Sequence, residues 1–301
     1  MTPFFRSVHR ATSKFPVVLV CTVVAFIGIT GCAVWLCSLT ARAPAFMLSL
    51  LIICVFQGFV LFAIYRVFSE NKRVVRSAYE LHAINHEYRD ALSGLFSVYE
   101  AAQQRGRRLK MDDLMLVERI VLERVCRRIA DVFWTMAGRK CVVTVKLMKQ
   151  DENQLSCFTW ARSTHDVRRS DEPQRPFKVG TGDNTAFDVA RRPRDCVSSH
   201  FYSGDLRALA KAGKYKNERT GWENLYNCAI IVPIRHVIDP KTENVHELGF
   251  LCVDTMSSYR LNGTYHVELL AAFADQMYNF LSIMRHKYVL IAEDAAAAEG
   301  S

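Results

Sequence analysis

The chain is short of the residues and spacings that catalysis usually needs. Its 301 residues include ten cysteines, yet no C-x-x-C pair and no recurring cysteine interval. That removes the common zinc and dithiol frameworks. Cys126, Cys141, Cys157, Cys196, Cys228 and Cys252 lie mostly inside apolar stretches, where a reduced thiol behaves as a small hydrophobe. A reducing compartment is the simplest expectation. There is no glycine-rich phosphate loop, no zinc-ligand spacing and no paired-acid motif. Cys196 and His200 are close in sequence, but nothing nearby supplies the orienting group that a nucleophile and its base require. A protein that is not an enzyme is expected, with no metal ligands; the sequence specifies no cofactor.

Charge is missing from two long stretches near the start. Pro16 to Cys37 (PVVLVCTVVAFIGITGCAVWLC) carries none, and Pro44 to Phe68 meets its first at Arg66. Each exceeds the roughly 20 residues that cross a bilayer core. The first is too long for a signal peptide and a second follows at once, so both read as transmembrane helices. Arg6, Arg10 and Lys14 precede the first span, and Arg66, Lys72, Arg73 and Arg76 follow the second. The turn between them, SLTARA, has only Arg42. The positive-inside rule then sets a multi-pass protein in the inner, cytoplasmic membrane with both termini cytoplasmic. Gln57 lies mid-span, where a carboxamide either bonds to a neighbouring helix or lines a polar path. Gly28, Gly31 and Cys32 give the first span a small-residue surface for close packing.

Proline is absent from Ser69 to Gln104, and glycine occurs there once. Val74, Ala78, Leu81, Asn85, Tyr88, Leu92, Leu95, Tyr99 and Ala102 alternate spacings of four and three. That is a heptad seam, expected either to form a parallel coiled coil or to pack on the chain's own domain. In the first case Leu81, Asn85, Tyr88, Leu92 and Leu95 would mediate oligomerisation, with Asn85 fixing register. The stretch QQRGRRLK ends the pattern as a hinge or kink.

The remainder balances helix and strand. DDLMLVERIVLERVCRRIADVFW opens on acids suited to a helix N-terminus and places Leu114, Val117, Val121, Val125, Ile129 and Phe133 at helical spacing. Two strands follow over Cys141–Met148 and Leu155–Ala161. An irregular stretch is expected to hold short helices over Asn184–Arg191 and Asp205–Ala212 and a strand near Cys196–Ser199. CAIIVPIRHVIDPKTENVHELGFLCVD reads as a β-hairpin apolar on both faces, so two layers must cover it. HVELLAAFADQMYNFLSIM closes the domain as a long amphipathic helix.

This order resembles a GAF domain, a small-molecule sensor and dimerisation module. The resemblance is carried by FKVGTGDNTAFDVARRPRDCVSS, by CAIIVPIR with ELGFLCVD, and by LLAAFADQMYNFL, and spans about Asp112 to Tyr288. It implies an antiparallel sheet flanked by helices, and with the two spans and the heptad helix before it the expectation is a membrane-anchored α+β protein: two transmembrane helices, a helical coiled-coil stalk, and the GAF-like sheet and helices. The divisions are a tail (1–15), a transmembrane hairpin (16–68), a stalk and hinge (69–110), a GAF-like domain (111–290) and a polar tail (291–301). It also implies a pocket between the sheet and the irregular segment, with Phe187, Cys196, Ser198, His200, Tyr215, Trp222 and Tyr226 as candidate lining. The Asn-Lys-Phe-Asp-Glu signature of cyclic-nucleotide-binding members is not recognisable, nor is the cysteine context of bilin binders.

The formal charge of +9 points to an anionic partner, and KAGKYKNERTGWENLYN mixes cations with rings as a lid over an anionic, ring-bearing ligand would. The expected partners are the lipid bilayer, a homodimer or higher homo-oligomer, an anionic small molecule and a separate output protein; nucleic acid is not expected. The sequence ends soon after the last helix, so no output domain is expected behind it. The functional expectation is a membrane-anchored cytoplasmic sensor that couples binding through a dimeric stalk to the membrane segment or an output protein. The alternatives are a ligand-free dimeric scaffold, a membrane-disrupting antiphage-type effector gated by the soluble domain, and a redox or metal sensor using Cys196, His200 or the other thiols.

Overall fold

The computed structural model describes residues 27, 28, 30, 31, 34 and 35, then 43–104, 111–151, 154–164, 176–191, 200–239 and 244–299. Most of the first apolar run and residues 105–110 therefore lie outside the described residues, as do Cys196 and Ser198. The chain divides into two units, Met1–Ala78 and Tyr79–Ser301. The first helix, α1, runs Ala43–Gln104 without interruption and crosses that division. Its continuity follows from the absence of proline beyond Pro44 in its first turn and from a single glycine after Gly58.

In the second unit, α2 (Met111–Ala137) begins with Asp112 and Asp113 against its exposed N–H groups. Strands β1 (Val142–Asp151) and β2 (Gln154–Arg162) form a hairpin. β3 (Phe177–Lys178), α3 (Thr185–Arg191), β4 (Phe201–Ser203) and α4 (Leu206–Lys211) make up the irregular segment. β5 (Cys228–Asp239) and β6 (Asn244–Thr255) are the long hairpin, and α5 (Tyr265–Glu299) closes the unit. α4 starts at Asp205, whose carboxylate accepts from the Ala208 N–H at 2.9 Å. The α5 N-terminus is held by Asn262, whose Oδ1 accepts from the N–H groups of Thr264 and Tyr265.

The sheet order is β3-β2-β1-β6-β5-β4, with every neighbouring pair antiparallel. The long hairpin is therefore central, as its two apolar faces require. Cys228, Ile230, Val232 and Ile234 enter one core and Ala229 and Ile231 the other. β4 pairs only with Ala229–Ile231, so Pro233, which lacks an N–H to donate, falls beyond that pairing. A register shift at Ile234/Arg235 leaves Leu248 as the extra residue on β6, so Leu248 and Leu251 both reach the helical core although three positions apart. Gly249 is required where β6 meets β1: a Cβ there would come within 2.0 Å of the Lys146 carbonyl oxygen.

The helical layer consists of α2, α5 and the α1 segment that belongs to this unit. Phe133, Leu251, Leu270, Phe273 and Met277 are fully or nearly fully buried in it. The face of α2 follows its spacing, with Val117 the exception and Glu118 and Leu122 added to it. Leu114, Glu118, Leu122, Val125 and Ile129 turn inward, Val121 is partly buried, and Val117 is exposed. Glu118 can take a core position because the Tyr288 hydroxyl donates to its Oε2 at 2.5 Å. Burial still raises its carboxyl above the usual range.

The heptad seam also finds partners within this unit. Tyr88 is buried beside Phe280, with ring centroids 5.9 Å apart, and Leu81 and Leu92 pack against the same core. Ile84, outside the predicted seam, is fully buried with them, whereas Asn85 is exposed. The side chain of Leu95 lies outside the described set. So Leu81, Tyr88 and Leu92 of the seam cover the chain's own domain, while Asn85 faces outward.

Candidate ligand-binding cavity

The face of the sheet away from the long helices is covered by the irregular segment. Its attachment begins at Val179–Asn184. Gly180 and Gly182 adopt φ of 86° and 83°, which turns both N–H groups onto the carboxylate of Asp188, at 2.6 and 2.8 Å. Asn184 is buried and donates to the Lys178 carbonyl and to Glu218 Oε2, at 2.9 and 2.7 Å. Thr185 and Lys216 exchange two further bonds. Together these tie residues 214–219 across the start of α3.

Beneath this roof is a cavity of about 70 Å³, several times the roughly 10–15 Å³ one water needs. Thr144 and Lys146 of β1, Arg162 of β2, Ala229 and Ile231 of β5, and Cys252 of β6 form its floor. Phe187, Tyr215, Lys216, Asn217, Arg219 and Tyr226 are in its roof. Strand alternation explains the floor: Val143 and Val145 go to the helical core, so Thr144 and Lys146 face the cavity. The register sets Arg162 opposite Thr144 and Thr159 opposite Lys146. Lys146 is buried, donates from Nζ to Thr159 Oγ1 at 2.9 Å, and lies 3.8 Å from the centre of the Phe177 ring. Charge on a nearly desolvated lysine is stabilised by that ring face.

In the roof, Asn217 Nδ2 donates to both the Tyr215 and Tyr226 hydroxyls, at 2.8 and 2.9 Å. Burial pushes the Tyr215 hydroxyl up to about 12 and raises that of Tyr226 as well, so both stay neutral phenols. Tyr215 also meets Phe201, with ring centroids 6.0 Å apart. Four cations line the cavity (Lys146, Arg162, Lys216 and Arg219), and no carboxylate is among the lining residues. Asp254, two positions beyond Cys252 on the same strand, adds negative charge that bears on both tyrosine hydroxyls. An anionic ring compound suits this lining: aromatic side chains for its apolar part, and cations with amide and hydroxyl donors for its charge.

The lining residues supply no nucleophile with a base. Cys252 faces the cavity and Cys157 lies in the same core, but burial pushes the Cys157 thiol up to about 12 and raises Cys252 further, leaving both as inert thiols. Among the described residues no group of three or more His, Cys, Asp or Glu side chains could hold a metal.

Of the candidates named from the sequence, Phe187, Tyr215 and Tyr226 line the cavity. Trp222 stands behind it, its ring 4.9 Å from that of Tyr215 and 5.8 Å from that of Tyr226, so it supports the lining without belonging to it. His200 precedes β4 and does not line the cavity. The sequence reading missed Thr144, Lys146, Arg162 and Asn217. Polar residues at alternate positions of an otherwise apolar β1 were the available signal. In the first unit, Gln57 Nε2 donates to Thr30 Oγ1. Among the described residues no helix is long and apolar enough to cross a membrane. The run 16–37 falls mostly outside them, as do the side chains of residues 43–54.

No protein-family model and no curated protein matches the chain. Several solved structures are similar. The GAF domain from an Acinetobacter phosphoenolpyruvate-protein phosphotransferase is 12% identical with a TM-score of 0.36, over 56% of this chain and 85% of that one. The fRMsr of Staphylococcus aureus, in complex with substrate, is 13% identical with a TM-score of 0.34, over 56% and 93%. A phycoerythrobilin-bound GAF domain from a cyanobacterial phytochrome is 14% identical with a TM-score of 0.34, over 60% and 97%. With every one of these scores below 0.5, they stand as likenesses only. The α+β architecture rests on the strand order and the two cores, and an antiparallel sheet flanked by helices fits the GAF-like order expected from the sequence.

Proposed function

We propose that this is a membrane-anchored, non-enzymatic sensor whose GAF-like domain holds a small, ring-bearing anion in the cavity between sheet and roof. The observation that carries the reading is the lining itself: four cations beside phenylalanine and tyrosine rings, with no carboxylate among the lining residues. The roof is tied through Asn184 and Glu218 to α3, so a ligand that tightens the roof acts on a defined part of the domain. The uncharged run Ala43–Tyr65 opens the same helix that ends at Gln104, and its hydropathy supports a bilayer anchor with both termini cytoplasmic. Because the Leu81–Leu92 segment of that helix lies on the domain's helical core, it offers a mechanical route from the domain toward the anchor. A ligand acts along this route only by binding two arrangements of that helix unequally. Oligomerisation and a separate output protein complete the proposal.

Isothermal titration of the full chain in detergent, using single-ring carboxylates and phosphates and their uncharged parents, tests the cavity. Charged members should bind at least about tenfold more tightly, one charge-assisted hydrogen bond being worth about 1.5–3 kcal/mol. Equal affinities, or no binding by any member, would set the reading aside. Alkaline carbonate extraction should leave the chain in the membrane pellet; release into the supernatant would remove the anchor.

A further inference from the structure

We propose a second, separate binding site: a divalent transition-metal site on the β5–β6 hairpin, built by His236 and His246 and oriented by Tyr278. The two histidines are direct partners across the strands, a relation that holds Cβ atoms about 4.5–5.5 Å apart on one face. Both rings flank the same phenol of α5, with centroids 5.6 Å (His236) and 5.9 Å (His246) from that of Tyr278. The Tyr278 hydroxyl is 2.9 Å from His246 Nδ1. Both imidazoles are exposed and reachable by an ion from water. The cavity face and its cations play no part in this group.

The chemistry follows from that hydrogen bond. A metal-ligating histidine characteristically donates its other ring N–H to a neighbouring oxygen, which fixes the tautomer and the ring orientation. With Nδ1–H given to the Tyr278 oxygen, His246 keeps its Nε2 lone pair for an ion, and His236 supplies the second nitrogen. Imidazole binds such ions at about 2.0–2.1 Å, within the reach of two rings whose Cβ atoms are cross-strand neighbours. The trio has no carboxylate, so hard Ca2+ and Mg2+ are excluded and the class is Zn2+, Ni2+ or Cu2+, with water in the remaining positions. The bound ion would clamp β5 to β6 and, through Tyr278, brace the hairpin on α5.

A competing pair must be removed to read this site cleanly. His82 and His86 on α1 have their Nε2 atoms 2.9 Å apart, although an Arg89 nitrogen lies 2.7 Å from His86 Nδ1 and opposes a cation there. The reference protein is therefore the full chain carrying His82→Gln and His86→Gln, stripped with chelator and titrated with Ni2+ against a chromophoric competitor. It should bind one Ni2+ per chain and gain in unfolding temperature. His236→Gln and His246→Gln should each abolish that equivalent and the gain. Tyr278→Phe should keep the stoichiometry while weakening affinity about 10–100-fold, as loss of an outer-shell partner does. A reference that binds no Ni2+, or histidine variants that bind it as the reference does, would overturn the site. An unchanged affinity in Tyr278→Phe would remove the tyrosine from it.

Discussion

The two faces of the sheet are built from the same strands and do different work. The helical face is filled by aliphatic and aromatic side chains from α1, α2 and α5, and the largest of them are fully buried. The opposite face is covered by short helices and loop, carries Lys146 and Arg162 on its strands, and leaves a cavity of about 70 Å³. A sheet needs only one well-packed face to be stable. The other can then hold desolvated charge and empty volume, both of which oppose folding. The account therefore assigns stability to one face and recognition to the other.

The sharpest way to break that division is to damage the helical face and look for an effect on binding. Phe273→Ala removes a side chain only 1% exposed and should cost about 3–5 kcal/mol, read as a lower denaturation midpoint with ligand affinity unchanged among folded molecules. Gly249→Ala should cost about 1–3 kcal/mol by forcing β6 off β1, and because Lys146 sits at that contact it should weaken both faces together.

A smaller loss is expected in acid. Burial lowers the His266 imidazole to about 4, and its Nδ1 accepts from the Asn262 N–H at 2.6 Å, so protonation would set a proton against a donor. The unfolded chain takes up that proton near its ordinary value of 6.5. Stability is then complete above pH 6.5 and declines as pH falls toward 4. His266→Gln should flatten that part of the midpoint-against-pH curve, and an unchanged slope would contradict the assignment. The smallest stability effect belongs to the cavity: Lys146→Met should leave the midpoint within about 1 kcal/mol of the parent while weakening binding of a ringed anion about tenfold or more.

The helical face was largely legible in sequence and the cavity was not. The alternation of Cys228, Ile230, Val232 and Ile234 against Ala229 and Ile231 is a period-two pattern, and the two cores follow it. α3 and α4 lie where their turn and capping residues put them. On α2 only Val117 was misplaced, because that helix is apolar on two sides: Met115, Leu116, Val117 and Ile120 form an exposed stripe beside the buried one, and spacing alone does not assign a position between them. Glu118 was passed over because a carboxylate reads as surface until Tyr288, 170 residues away, supplies its hydrogen bond. The cavity floor depends on register. Lys146 lies inside the strand read over Cys141–Met148, but only the pairing of Lys146 with Thr159 and of Thr144 with Arg162 brings the cations together. The roof residues Tyr215 and Tyr226 were named because the GAF resemblance implies a pocket beneath the irregular segment, and rings and cations mix locally there.

The most direct test is native mass spectrometry of the full chain purified from the cells that make it, beside Lys146→Met prepared identically. The account predicts a bound organic anion on the parent, and a bare variant that unfolds at nearly the parent's midpoint. A parent that carries no such mass, or a variant that retains it in full, would contradict the assignment of the cavity face to recognition.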